Sequence, residues 1–290
     1  MKKIITNSEK EMIANIFTKK YYEVAYFLGI PYTSFLILEL FNKNGVSNIL
    51  KTKYVTSEEI IASTGFSSTA KYALEWMLSF LSQSGLLKKT NVRGIPEYYY
   101  DGQENIDSRS FYKKIIEVDR EVIPSCNLME YVISEYDNFF KGIKKGIEIL
   151  FANDKIYLWN DYFNNNNSGY RVYNSFGAFG VAKWISNKKN ITILEVGGGT
   201  GSATSFLLEK LKETNKLSIV DEYIFSDISP IFLRMGNKVI MSIVPDDFQY
   251  SLKKLDFDKP IIEQGFKENE FDVVYGVNSL HVAKNLATSL

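Results

Sequence analysis

The chain has 290 residues, 45% hydrophobic and 23% charged, with 34 basic and 34 acidic side chains. That is ample material for a core, so general disorder is excluded, and at roughly 150 residues per domain the length implies two domains. A zero balance argues against a dedicated nucleic-acid or membrane-surface binder. The arginines are few (Arg93, Arg109, Arg120, Arg171 and Arg234), which argues against bidentate phosphate recognition by a cluster.

There is one cysteine, Cys126, and one histidine, His281. No internal disulfide is possible, and zinc sites, which draw on several Cys and His, are largely removed, so no metal is expected. Ser-His-Asp hydrolysis would require His281 as the base. Met1–Glu9 starts basic, but no apolar signal segment follows, and no uninterrupted apolar run is long enough to cross a bilayer. The chain therefore reads as cytoplasmic.

In chain order, residues to about Gly102 read as helical with a small β element at the end. Thr56-Ser57-Glu58-Glu59 is a capping box opening a short helix that stops near Gly65. A second helix starts after Ser67 or Ser68, carries Leu74, Trp76, Met77, Phe80 and Leu81 at helical spacing, and ends at Gly85. Two β-like runs, Leu86–Lys89 and Pro96–Tyr100, flank a turn at Arg93-Gly94. Helix, turn, helix, hairpin is the winged-helix order. DNA binding would need a basic second helix, and Lys71–Phe80 carries one Lys and one Glu, so packing or dimerisation is the preferred role.

Helical patterns continue from about Asp107 to Phe151. Asn164–Gly169 is a polar, low-complexity loop, and a helix is expected from roughly Ser175 to Ile185. The register then changes. Ile191–Val196 is a short β-branched strand running into glycines, Tyr223–Ser226 a second strand, and Phe271–Val277 another, with a helix from Ser202 to Leu211 between the first two. Alternating strands and helices mean a parallel sheet.

The strongest chemical signal is Glu195-Val196-Gly197-Gly198-Gly199-Thr200-Gly201. A glycine-rich loop between strand and helix presents backbone amides and the positive end of a helix dipole. Gly197, Gly199 and Gly201 form G-x-G-x-G rather than the dinucleotide G-x-G-x-x-G. Glu195 would repel a pyrophosphate and attract an ammonium, which favours an amino-acid-bearing nucleoside. Set against this is a plain tight turn. Asp227 ends the next strand, where an acid meets ribose hydroxyls; its bland alternative is an Asx turn before Ser229-Pro230.

Leu194–Gly201 resembles motif I of class I S-adenosylmethionine-dependent methyltransferases. Tyr223–Leu233, Leu255–Pro260, Glu263–Phe266, Phe271–Val274 and Asn278–His281 follow in order. Together they resemble the C-methyltransferase domains of polyketide synthases and polyketide–peptide hybrid synthetases, over roughly residues 170–290. The resemblance implies an α/β fold: a Rossmann-like class I methyltransferase sheet, C-terminally truncated, preceded by a mainly helical winged-helix-like and lid region. The expected domains are 1–105, helical and winged-helix-like; 106–186, helical lid or linker; and 187–290, the cofactor-binding domain.

The implied cofactor is S-adenosyl-L-methionine. Glu195 and the Gly197–Gly201 loop would hold its methionine end, Asp227 its ribose, Asp256 and Phe257 its adenine, and Asn278 would line the pocket. His281 would be the catalytic base of a histidine–glutamate dyad, removing the acidic α-proton of a β-ketoacyl thioester near pH 7. Tyr170 and Tyr173 are candidate substrate-pocket residues, with packing as the alternative for each. The implied partner is an acyl carrier protein or a small-molecule substrate, in a homodimer or a larger synthase, with no nucleic acid and no membrane.

His281-Val282-Ala283-Lys284 departs from the family's His-Ala-Thr. The dyad's glutamate is expected on a strand after Leu290, so the chain is expected to be catalytically incomplete unless more polypeptide follows. A free-standing small-molecule O-methyltransferase and a non-catalytic cofactor-binding fragment remain alternatives.

Overall fold

The computed structural model describes residues 6–102, 107–150 and 152–289. Met1–Ile5 of the N-terminal stretch and Phe151, the expected end of the middle helical stretch, lie outside the described residues. By contacts the chain forms two units, Thr18–Tyr162 and a discontinuous one made of Met1–Phe17 and Phe163–Leu290. The division falls after Tyr162, not at 105 and 186 as expected. Helix α1 (Asn7–Ile16) belongs with the later unit.

In the Thr18–Tyr162 unit, α2 (Lys19–Tyr22) passes through a π-helical stretch, Glu23–Leu28, into α3 (Gly29–Lys43). A Cβ at Gly29 would stand 2.7 Å from the Val24 carbonyl oxygen, so the wide π turn admits glycine there. This continuous helix, Lys19–Lys43, is long and apolar enough to cross a membrane by length and composition. Its apolar residues are interrupted by Glu23 and Glu39, so it is not the uninterrupted apolar run that the sequence was expected to lack. Much of its apolar surface, including Tyr32, Ile37, Leu38 and Phe41, is buried within the unit.

Next come α4 (Val46–Leu50) and α5 (Ser57–Thr64), whose capping box at Thr56 and Glu59 forms as expected, with Gly65 left-handed at its end. Then α6 (Lys71–Gln83) leads to the antiparallel hairpin β1 (Lys88–Val92) and β2 (Ile95–Tyr99). Arg93 and Gly94 both take positive φ, the geometry of a two-residue hairpin loop. The helices α7 (Ser108–Val118), α8 (Ile123–Phe140), α9 (Gly146–Leu150) and α10 (Ile156–Phe163) follow. Phe41, Leu50, Ile60, Leu74, Met77 and Tyr98 share one core.

The second unit opens on α11 (Ser168–Trp184). It begins about two turns before the expected Ser175, because the Asn167 side chain accepts from the Gly169 amide and caps it. There follow β3 (Ile191–Val196), α12 (Ser202–Glu213), β4 (Val220–Asp227), α13 (Pro230–Ile243), β5 (Tyr250–Lys254), β6 (Val273–Tyr275) and α14 (Leu286–Ser289). The four strands are parallel, in the order β5-β4-β3-β6. Both faces of the sheet are covered: Ile193, Leu207, Leu208 and Phe225 pack in one cluster, Leu194, Val196, Ile224 and Leu255 in another. From β3 the chain builds outward through β4 to β5, and then places β6 on β3's other side. Such a reversal opens a crevice at the carboxyl ends of the strands, where open α/β sheets bind ligands.

Candidate cofactor and active site

The expected segments from four strands meet at that end of the sheet. The loop after β3 has Gly197, Gly199 and Gly201 at φ +65°, +55° and +80°, all in the region that favours glycine. Their surroundings differ. A Cβ on Gly198, the spacer that the G-x-G-x-G reading left without a role, would meet the Phe225 ring at 2.2 Å; Gly236 of α13 meets the same ring at 2.3 Å. The two glycines sandwich a core phenyl. Gly199 alone of the loop glycines has open space beside its α-carbon.

Glu195, the penultimate residue of β3, is buried. Its Oε2 accepts from the Thr204 hydroxyl at 2.6 Å and from the Tyr223 hydroxyl, which in turn pairs with the Tyr275 hydroxyl at 2.6 Å. Burial raises its carboxyl to about 7, against the hydroxyl hydrogen bonds that lower it. The same burial holds the Tyr223 and Tyr275 hydroxyls well above their ordinary range. The carboxylate is thus engaged within the interior, tying α12, β4 and β6 to β3.

Asp227, at the end of β4, is also buried. Its Oδ2 accepts from the Gly199 amide at 3.0 Å and its Oδ1 from the Ser229 amide at 2.8 Å. The Asx turn weighed in the sequence is therefore present, and the same carboxylate also holds the glycine loop. Burial raises its pKa, opposed by these amide bonds. Asp256 follows β5. Its backbone is clasped by Gln264, whose Oε1 accepts from the Asp256 amide and whose Nε2 donates to the Asp256 carbonyl, both at 2.8 Å. Phe257 packs against the cluster of Leu194, Val196 and Leu255.

Beyond β6, Asn278 is exposed at φ +53°, and His281 is exposed on a single 3-10 turn, Leu280–Val282. Ser279 between them is buried and donates to the Val196 carbonyl at 2.8 Å. On α11, Tyr170 is buried with an edge contact to Phe163, whereas Tyr173 is exposed. The Asn164–Asn167 loop is not a passive linker: Asn165 Nδ2 donates to the Ser202 carbonyl at 2.8 Å and to Ser205 Oγ at 2.9 Å, steadying the first turn of α12. Sequence reasoning gave no role to Asn165 and Ser279, which hold backbone, or to Thr204, Tyr223 and Tyr275, which hold the Glu195 carboxyl, since partners brought together by the fold leave no spacing signal.

No family model matches the chain. It is 24% identical over 229 residues to the highly reducing polyketide synthase rstn3 of Aspergillus nomiae, covering 75% of this chain and 8% of that one. It is 32% identical over 157 residues to the hybrid PKS-NRPS synthetase iccA of Talaromyces variabilis, covering 53% of this chain and 4% of that one. The chain therefore spans a small fraction of these relatives' length. Among solved structures it is similar to the DszA carbon methyltransferase (TM-score 0.72, 21% identity, 96% of this chain and 70% of that one). It is likewise similar to the CMeT domain of the citrinin polyketide synthase (0.74, 14%, 97% and 71%) and to the trans-methyltransferase CalH in complex with SAH (0.53, 19%, 98% and 67%).

The chain has the fold of the class I methyltransferases. Within that class it resembles the carbon methyltransferase domains of polyketide synthases.

Proposed function

We propose that the chain is an S-adenosylmethionine-dependent methyltransferase that C-methylates the α-carbon of a β-ketoacyl thioester carried on an acyl carrier protein. The observation that carries this reading is the convergence at the carboxyl end of the sheet of the left-handed glycine loop, the buried Asp227 and the segment that bears the exposed His281. The likeness to polyketide synthases, the carbon methyltransferase folds and a neighbour holding SAH support it.

The residues fit the cofactor. The open space beside Gly199 gives a ligand close access to backbone, and the Asp227 carboxylate, with about four acceptor sites, bonds three amides and keeps capacity for a ribose hydroxyl. The Gly197–Gly201 loop would hold the methionine end, Asp227 the ribose, and Asp256 with Phe257 the adenine, with Asn278 at the pocket rim. Glu195 would serve the ammonium indirectly, by holding through Thr204 the first turn of α12, the helix that the glycine loop enters. When bound, S-adenosylmethionine supplies an electrophilic sulfonium methyl. The chain's own part is to orient the thioester and to take the α-proton onto the His281 imidazole, leaving the carbanion's electron pair for the new carbon–carbon bond.

The test is calorimetry with S-adenosylhomocysteine together with mass-spectrometric methyl transfer to a β-ketoacyl carrier protein. Binding and a methyl gain at the α-carbon, lost in His281→Ala, are expected. A methyl found on oxygen would refute the C-methylation reading, and absent binding would refute the class of activity.

A further inference from the structure

Two glycines that flank the site are not spaced for a ligand. A Cβ on Gly197 would stand 2.6 Å from Ser279 Cβ, and one on Gly276 would stand 2.5 Å from Ser279 Oγ and 2.8 Å from the Val196 carbonyl oxygen. Both glycines lie against one small side chain. Ser279 is buried between them and donates to the Val196 carbonyl at 2.8 Å, at the point where β3 becomes the glycine loop. Asn278, at φ +53°, makes the left-handed turn just before it, a conformation Asn tolerates better than most residues.

The next residues are anchored separately. Leu280 packs on the cluster of Leu194, Val196 and Leu255. The Lys284 amide donates to Asp258 Oδ1 at 2.8 Å, on the loop after β5. His281 stands exposed between these anchors.

We propose that Ser279 is a positioning residue: wedged between Gly197 and Gly276 and bonded to Val196, it fixes the distance from the glycine loop to His281. Its catalytic consequence rests on the methyltransferase reading, because that spacing would set the donor methyl against the base. Misplacement by about 1 Å can cost 100-fold in rate. Ser is the residue for the position because it is small enough for the gap and still donates to Val196.

The test uses Ser279→Ala, Ser279→Gly, Gly197→Ala and the double variant Gly197→Ala/Ser279→Gly. Ser279→Ala keeps the Cβ and loses only the hydrogen bond. Its S-adenosylhomocysteine affinity should stay within about threefold, while kcat falls at least tenfold with the cofactor KM little changed. Because the chain has one histidine, the imidazole carbon-bound proton resonances belong to His281 alone. They should be single and narrow in the parent and broadened or split in Ser279→Ala. Gly197→Ala should weaken S-adenosylhomocysteine binding more than tenfold, and adding Ser279→Gly should recover at least threefold by removing the clashing Cβ, although the positive φ stays strained.

Parental kcat with an unchanged His281 spectrum in Ser279→Ala, or strictly additive losses in the double variant, would overturn the role of Ser279. A parent that neither binds S-adenosylhomocysteine nor transfers methyl would instead refute the methyltransferase reading. The role of Ser279 would then still be decided by the His281 spectrum and by the same cycle read in melting temperature.

Discussion

Glu195→Gln isolates the cost of keeping a carboxyl in the sheet's interior. The folded chain holds the Glu195 proton up to about pH 7, whereas the ordinary value is 4.5. Between those values the folded state binds more protons than the unfolded one, so the unfolding free energy falls as pH rises from 4.5 to 7 and levels off above. At about 1.4 kcal/mol per pH unit, this gap amounts to about 3 kcal/mol. Gln keeps an acceptor for the Thr204 and Tyr223 hydroxyls, and its amide has the Tyr275 oxygen beside it. Urea unfolding of parent and variant at pH 5, 6, 7 and 8 should show their difference moving in the variant's favour by about 2–3 kcal/mol across the series. Parallel curves from pH 5 to 8 would refute the raised pKa of Glu195.

Asp227→Ala removes the acceptor of the Gly199 and Ser229 amides, and at about 1.5–3 kcal/mol for a charged hydrogen bond it should weaken S-adenosylhomocysteine about 10–150-fold by calorimetry. Gly236→Ala would gain about 1 kcal/mol in an unobstructed helix, but its Cβ meets the Phe225 ring at 2.3 Å, so the melting temperature should fall rather than rise. Thr56→Ala breaks the capping box of α5 and should cost about 1 kcal/mol in denaturant unfolding. Duplex DNA should give no salt-sensitive mobility shift, because Lys71 of α6 is already paired with Glu58 and Glu75.

The features legible in the sequence were those set by local rules. The capping box at Thr56, the helix-stopping Gly65, the Arg93-Gly94 turn and the strand Ile191–Val196 lie where turn chemistry and β-branched runs put them, while the second expected strand is longer (Val220–Asp227) and the third shorter (Val273–Tyr275) than the runs suggest. Strand β5 was missed, since Tyr250–Lys254 is an edge strand with two lysines and no apolar run. The internal partners of Glu195, Thr204 and Tyr223, were not legible for a different reason. A strand with both faces covered has no polar side, so alternation does not reveal whether an acid points to a ligand or to a tyrosine. The glycines had a similar ambiguity: G-x-G-x-G suggests ligand access, yet Gly197 and Gly198 answer to Ser279 and Phe225. Long-range partners of this kind are fixed by tertiary packing and have no trace within a short window.

The pairing of β3 with β6 also has a temporal consequence. Thr192 donates to Asp272 across 80 residues of chain, and Ile193, Leu194 and Glu195 find their partners at Val273, Val274 and Tyr275. On a ribosome adding about 5–20 residues per second, β3 emerges roughly 4–16 seconds before that partner strand exists. In that interval β4 can cover one flank of β3 while the other stays unpaired, a template for association with another nascent chain. The segment that covers this flank of β3 also carries Tyr275, Ser279 and His281, so the pairing of β3 with β6 and the placing of these residues beside the glycine loop happen in one step.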